Sequence, residues 1–179
     1  MKINIYYLTK DELGSLIDWH AKLEDRRGDR AQLRRASNPI EVVSSPAFHR
    51  FLSFMKTENP SYHSADKFPE NKLMLLAIIV GLVARLKSES TVVFAKALGA
   101  GDRKYSETRF QQLLQSRDED EFFRRMSLAI HFLKGEVSVK DMCECICKWY
   151  KEYKVPSKTH LSDQFKFQMT VNYYQLSSD

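Results

Sequence analysis

LMLLAIIVGLVA, residues Leu73 to Ala84, is apolar on every side when wound as a helix. Such a helix leaves no face for water, so neighbouring elements have to cover it all round. These twelve residues are too few to cross a bilayer, which takes about twenty. The stretch therefore reads as the middle of a core, opened by Pro69 and running to about Ser88.

Working outward, the pattern stays helical. On the N-terminal side, Thr9 and Glu12 form a capping box ahead of Leu13, Leu16, Ile17, His20 and Leu23 at helical spacing. Gly28 is expected to close that helix, and Asp29 with Gln32 to cap a short basic one ending near Ser37. Asn38-Pro39 reads as a turn, because a residue before proline is pushed out of the helical region. Ser45-Pro46 reads as N-cap and first helical residue of a helix with Phe48, Phe51, Leu52 and Met55 inward.

On the C-terminal side, helices are expected over Thr91 to Leu98, Ser106 to Gln115, Asp118 to Leu133 and Ser138 to Tyr153. Pro156 stops the last of these, and a final helix is expected from about Lys158 to Val171. Ile3 to Leu8 is the single alternating stretch. The expectation is an all-α fold, a compact bundle of about eight to nine helices in one domain, possible lobes meeting near residues 59–69.

The 179 residues are 43% hydrophobic and 28% charged with mean hydropathy −0.44, which is the balance of a globular chain rather than a disordered one. Six glycines and five prolines exclude collagen-like and linker-dominated readings. The N-terminal residues lack the apolar core and cleavage site of a signal peptide, so a cytoplasmic protein without a membrane segment is expected.

The chemistry-bearing residues mostly read as structure. Cys143, Cys145 and Cys147 crowd one helix, are odd in number, and lack histidines at zinc-ligand spacing, so they read as buried thiols. His20, His49, His63, His131 and His160 are scattered, and no H-E-x-x-H or G-x-S-x-G motif occurs. Gly99-Ala100-Gly101 lacks a following G-K-[ST] and reads as a turn between helices. Neither a cofactor nor a metal is expected, and no catalytic residue is assigned.

Cations carry the functional signal, with a formal charge of +5 and pI about 9.0. Lys22, Arg26, Arg27, Arg30, Arg34 and Arg35 form a first cluster, in which 26, 30 and 34 follow an i, i+4 ladder. Arginine forks match phosphate oxygens in fixed geometry. Arg103, Lys104, Arg109, Arg124 and Arg125 form a second. Lys148, Lys151, Lys154 and Lys158 form a third, interleaved with Trp149, Tyr150 and Tyr153. Cations beside aromatic rings suit single-stranded nucleic acid, although Trp149 reads as core before stacking platform and charge runs are commonly solvated helix faces. Three clusters in one small chain favour a polyanionic partner.

Three stretches carry a family resemblance. QLRRASNPIEVVSSPAFHRFL (Gln32 to Leu52) resembles the R-R-x-x-x-P…P-A-F-x-R-L segment of the CasB-type small subunit of type I-E CRISPR Cascade. AKALGAGDRKYSETRFQQLLQSRDEDEFFRRM (Ala95 to Met126) resembles the family's A-L…S-E-x-R-F-x-x-L-L segment, and WYKEY (Trp149 to Tyr153) an aromatic-basic stretch near its C-terminus. Ser61 stands where the family often has a basic residue, and Met1 to Thr9 lie outside the likeness.

The resemblance implies a non-catalytic subunit of an RNA-guided surveillance complex, present as a pair. Its implied partners are the other Cascade subunits with their guide RNA, and the target and displaced DNA strands of the R-loop. Arg34 and Arg35 match the family's arginine pair, and Arg109 the arginine of S-E-x-R-F, where a structural role against Glu107 or a helix carbonyl competes. With them, Arg26, Arg30, Lys104, Arg124, Arg125, Lys148, Lys151 and Lys154 are the candidate backbone contacts. The alternatives are a structural helical adaptor whose basic faces meet acidic proteins, and a small hydrolase with an unrecognised site.

Overall fold

A computed structural model describes residues 6–59, 62, 68–102, 104–156 and 164–176. Among them are ten helices and no strand, and the fold is all-α. In chain order these are α1 (Lys10–Lys22), α2 (Arg27–Arg35), α3 (Pro39–Val43), α4 (Pro46–Glu58) and α5 (Glu70–Val83). They continue as α6 (Phe94–Gly99), α7 (Glu107–Leu114), α8 (Glu119–Phe132), α9 (Val139–Lys154) and α10 (Phe165–Tyr173). Ile3 to Ile5, most of the segment from Pro60 to Lys67, Arg103 and Lys158 to Ser162 lie outside the described residues, and with them His63 and His160.

The apolar helix α5 is the centre. Leu75 to Ala84 are buried throughout, and α2, α3, α8 and α9 pack around it. Its β-branched Ile78, Ile79, Val80 and Val83 are indifferent helix formers, so over this second half of the helix burial outweighs propensity. Gly81 belongs to that packing: a Cβ there would lie 2.7 Å from the Phe123 ring and 2.8 Å from Val42. Lys72 is fully buried in the same helix and pairs at 2.9 Å with Glu12 of α1. Its ammonium also donates to the Tyr7 carbonyl at 2.7 Å, and the Tyr62 hydroxyl donates to Glu12, so the buried charge is satisfied on several sides.

Local caps place most helices where the sequence predicts them. The Thr9–Glu12 capping box has both of its bonds, at 3.2 and 2.6 Å. Ser45, Ser106, Asp118 and Ser138 cap α4, α7, α8 and α9 with their side-chain oxygens. The first basic segment differs from expectation. Helix α1 ends at Leu23, which drops into the core, and Gly28 is the exposed second residue of α2 rather than a stop. Asp29 caps nothing, because Arg50 takes its carboxylate through Nη2 at 2.5 Å and Nε at 3.1 Å. Asn38-Pro39 is an N-cap and first turn, opening the five-residue α3. Helix α6 begins at Phe94, three residues later than expected.

Helix α8 ends in a tight turn against the exit of α5. The Gly135 amide donates to the Ile130 carbonyl at 3.0 Å and the Lys134 amide to His131 at 2.9 Å, which is a Schellman ending. Lys134, not glycine, occupies its left-handed position, with φ 57°. Gly135 follows with φ 82°, and a Cβ there would stand 2.9 Å from the Arg85 carbonyl. The close approach lets the Lys87 amide donate to the Gly135 carbonyl at 2.8 Å and the Val137 amide to Ser88 at 3.2 Å. The chain leaving α5 is thereby fastened against the chain leaving α8.

Candidate nucleic-acid interface

The eleven candidate cations fall into two groups. Arg30 is drawn into the fold: its guanidinium donates to the Ala84 carbonyl at 3.3 Å and to the Leu86 carbonyl, and pairs with Glu24. Those carbonyls close α5, where a cation opposes the negative end of the helix dipole. Arg125 donates to the Gln112 carbonyl and pairs with Glu121 at 2.5 Å, tying α8 to α7. Lys148 donates to Gln168 at 2.6 Å, and Lys154 pairs with Glu119 at 2.7 Å. Lys151 sits 4.9 Å from the centre of the Tyr7 ring. By contrast, Arg26, Arg34, Arg35, Lys104, Arg109 and Arg124 are exposed and form no ion pair among the described residues. The ladder expected from residue 26 starts only at Arg30, because Arg26 is the non-helical N-cap of α2.

The aromatic residues of the third cluster face inward. Trp149 is 3% exposed and lies flat between Phe122, 3.8 Å away, and Tyr153, 5.1 Å away. Tyr150 is fully buried. The i, i+3, i+4 pattern of Met142, Cys143, Ile146, Trp149 and Tyr150 is the core stripe of α9. Cys143 and Cys147 belong to the same interior, whereas Cys145, expected to be buried with them, is half-buried at its edge. Burial pushes Cys143 up, and pushes Cys147 up to about 12, so neither is a thiolate at neutral pH.

The cations that meet in space are not the ones that meet in the sequence. Arg34 from α2, Arg85 and Lys87 from the end of α5, and His131 and Lys134 from the end of α8 line one groove of about 620 Å³. Ser127, Ile130, Phe132 and Gly135 complete its wall, and among the described residues no carboxylate lines it.

Arg85 escapes notice in the sequence because it follows an apolar helix and lies in no charge run. Its fork donates to the Ala36 carbonyl at 2.6 Å, to Leu33 at 3.4 Å and to Gly81, and its guanidinium lies 4.9 Å from the Phe123 ring centre. Arg85 thus closes α2, while Arg30 of α2 closes α5. This exchange of arginines fixes the two helix ends side by side. Burial first, and then the neighbouring Arg34 charge, push Arg85 down to about 10, which leaves it charged at neutral pH. The groove therefore gathers like charge, with no counter-charge in its wall among the described residues.

The sequence profile of the CRISPR-associated protein Cse2 family matches residues 29–174, from the first turn of α2 past the end of α10. The chain belongs to the Cse2 family. Cse2 proteins are small, structural subunits of Cascade, the surveillance complex of CRISPR defence. The match takes in every residue of the groove and leaves α1 outside. No curated protein and no solved structure matched the chain. Among the described residues, no helix of this Cse2 chain is long and apolar enough to cross a membrane.

Proposed function

We propose that this Cse2 chain binds DNA backbone inside Cascade without sequence preference, and that it steadies the opened strands of the R-loop, the displaced strand included. The groove carries this reading: four cations and His131 converge there, with no carboxylate among the described residues that line it. Anionic phosphates supply the missing counter-charge, and a run of backbone contacts releases condensed counterions on binding. Exchange of a DNA duplex for a guide–target duplex is nearly balanced, so a few such contacts tip it. Guide pairing reads the sequence, which leaves phosphate contacts as this subunit's task.

Arg34, Lys87 and Lys134 are the primary contacts in this reading, with Arg35, Arg26 and Arg124 as exposed extensions and Lys104 and Arg109 as outlying ones. Arg30 and Arg125 act at one remove, by holding helix ends. The chain works as one helical domain, as one of a pair, docked on other Cascade subunits that carry the guide RNA. The test is R-loop formation by reconstituted Cascade on a guide-matched duplex. Full R-loop yield is expected with the wild-type chain, and a loss of tenfold or more with Arg34→Ala plus Lys134→Ala at unchanged subunit incorporation. Equal yields would assign the groove to an acidic protein surface instead.

A further inference from the structure

The basic residues of the groove are of two kinds: Arg34, Arg85, Lys87 and Lys134 are arginines and lysines, and His131 is an imidazole. Ser127, Ile130 and His131 stand at i, i+3 and i+4, so they share the face that the last turns of α8 present to the groove. The His131 carbonyl accepts from the Lys134 amide at 2.9 Å, which fixes the residue in the helix ending. Its side chain is exposed and makes no hydrogen bond or ion pair among the described residues. Arg85 differs, because its fork is spent on the Leu33, Ala36 and Gly81 carbonyls and supplies charge rather than a donor. The charges facing His131 are Arg34 from α2, Arg85 and Lys87 from the exit of α5, and Lys134 from its own turn. Helices α3 and α7 also pack on α8, but among the described residues neither lines the groove. Glu136, the nearest carboxylate along the chain, lies beside Ser88 and is not part of the wall.

We infer that His131 is a phosphate contact of the groove that takes up a proton as DNA binds. This rests on the proposal that the groove binds DNA backbone. A phosphate brings negative charge beside the imidazole and favours its protonated form, in which both ring nitrogens donate. The proton comes from solvent, sits on the ring nitrogen that was an acceptor, and returns to solvent when the strand leaves. No bond of the DNA changes. Binding thus draws in at most one proton through this ring, and by linkage affinity rises as pH falls through the imidazole range. The contact reads charge and not sequence, as a backbone site requires.

Fluorescence anisotropy of the full chain with an oligothymidylate single strand tests this, at constant ionic strength between about pH 6 and pH 8. Neither thymine nor a phosphodiester titrates in that range, so the pH slope belongs to the protein. The wild type is expected to bind about fivefold more tightly at the acid end. His131→Gln is expected to lose most of that gain at unchanged helicity. His131→Lys, which fixes the charge, is expected to bind at the alkaline end as tightly as the wild type does at the acid end. His20→Gln removes an imidazole that lies beside Leu86 and Arg30, outside the groove wall, and is expected to keep the wild-type gain. Wild-type binding that responds to salt and not to pH overturns the proton-loaded contact and leaves the backbone groove standing. So does a gain that survives in His131→Gln. Absence of salt-sensitive binding overturns both.

Discussion

The seam between α2 and α5 and the outer face of α9 look alike in the sequence and differ in the folded chain. Both are dense in cations. At the seam, Arg30 and Arg85 close each other's helices and leave Arg34 at the mouth of a groove with Lys87 and Lys134. On α9, Lys148, Lys151 and Lys154 are each occupied, by Gln168, the Tyr7 ring and Glu119. What makes a cation available is thus whether a carbonyl, ring or carboxylate of the same chain already holds it. Charge density along the sequence does not report that.

The largest expected effect lies in the seam. Arg85→Ala leaves the Leu33, Ala36 and Gly81 carbonyls without their donor and is expected to cost about 3 kcal/mol of stability, read by urea unfolding. Arg85→Lys is expected to recover only a minor part, since an ammonium cannot span three carbonyls as a planar fork does. A stability change near zero for both would dissolve the clamp. Next comes Arg34→Ala with Lys134→Ala, both exposed, with a loss of roughly tenfold or more in single-strand affinity at unchanged unfolding midpoint. Smaller is Lys154→Ala, which breaks a partly exposed pair with Glu119 and is expected to cost ~0.5–1 kcal/mol. Its DNA affinity should stay within about twofold of wild type.

The smallest effect is a pH slope. His20 is held below its ordinary 6.5, chiefly by burial, so the unfolded chain takes up a proton that the folded chain resists. Its contribution to stability is present above pH 6.5 and falls away as pH drops below it. Thermal unfolding between pH 7 and 5 should show a flatter slope in His20→Gln. An unchanged slope would move the titration to another group.

These differences also mark what the sequence can tell. Caps are local, so Thr9, Ser45, Asp118 and Ser138 announce their helices within three residues. The α5 core follows from twelve apolar residues in a row. Arg30 and Arg34, one turn apart, have opposite fates because the carbonyls that capture Arg30 lie 54 and 56 residues away. Asp29 reads as a cap for the same reason: Arg50, which claims it, is 21 residues distant. The groove is assembled from three stretches joined by the contact between Lys87 and Gly135, and no local pattern records that meeting. Lys72 is the extreme case, a buried cation in an apolar helix whose partner lies on α1.

The sharpest measurement is the salt dependence of single-strand binding, compared between the Arg34→Ala, Lys134→Ala chain and a Lys151→Ala, Lys154→Ala chain. Each lost phosphate contact lowers the slope of log K against log salt by about 0.7 to 0.9. The groove variant is expected to lose between one and two units of slope, and the α9 variant to keep the wild-type value. A slope lost on α9 and retained in the groove would place the DNA on α9 and refute the groove as its site.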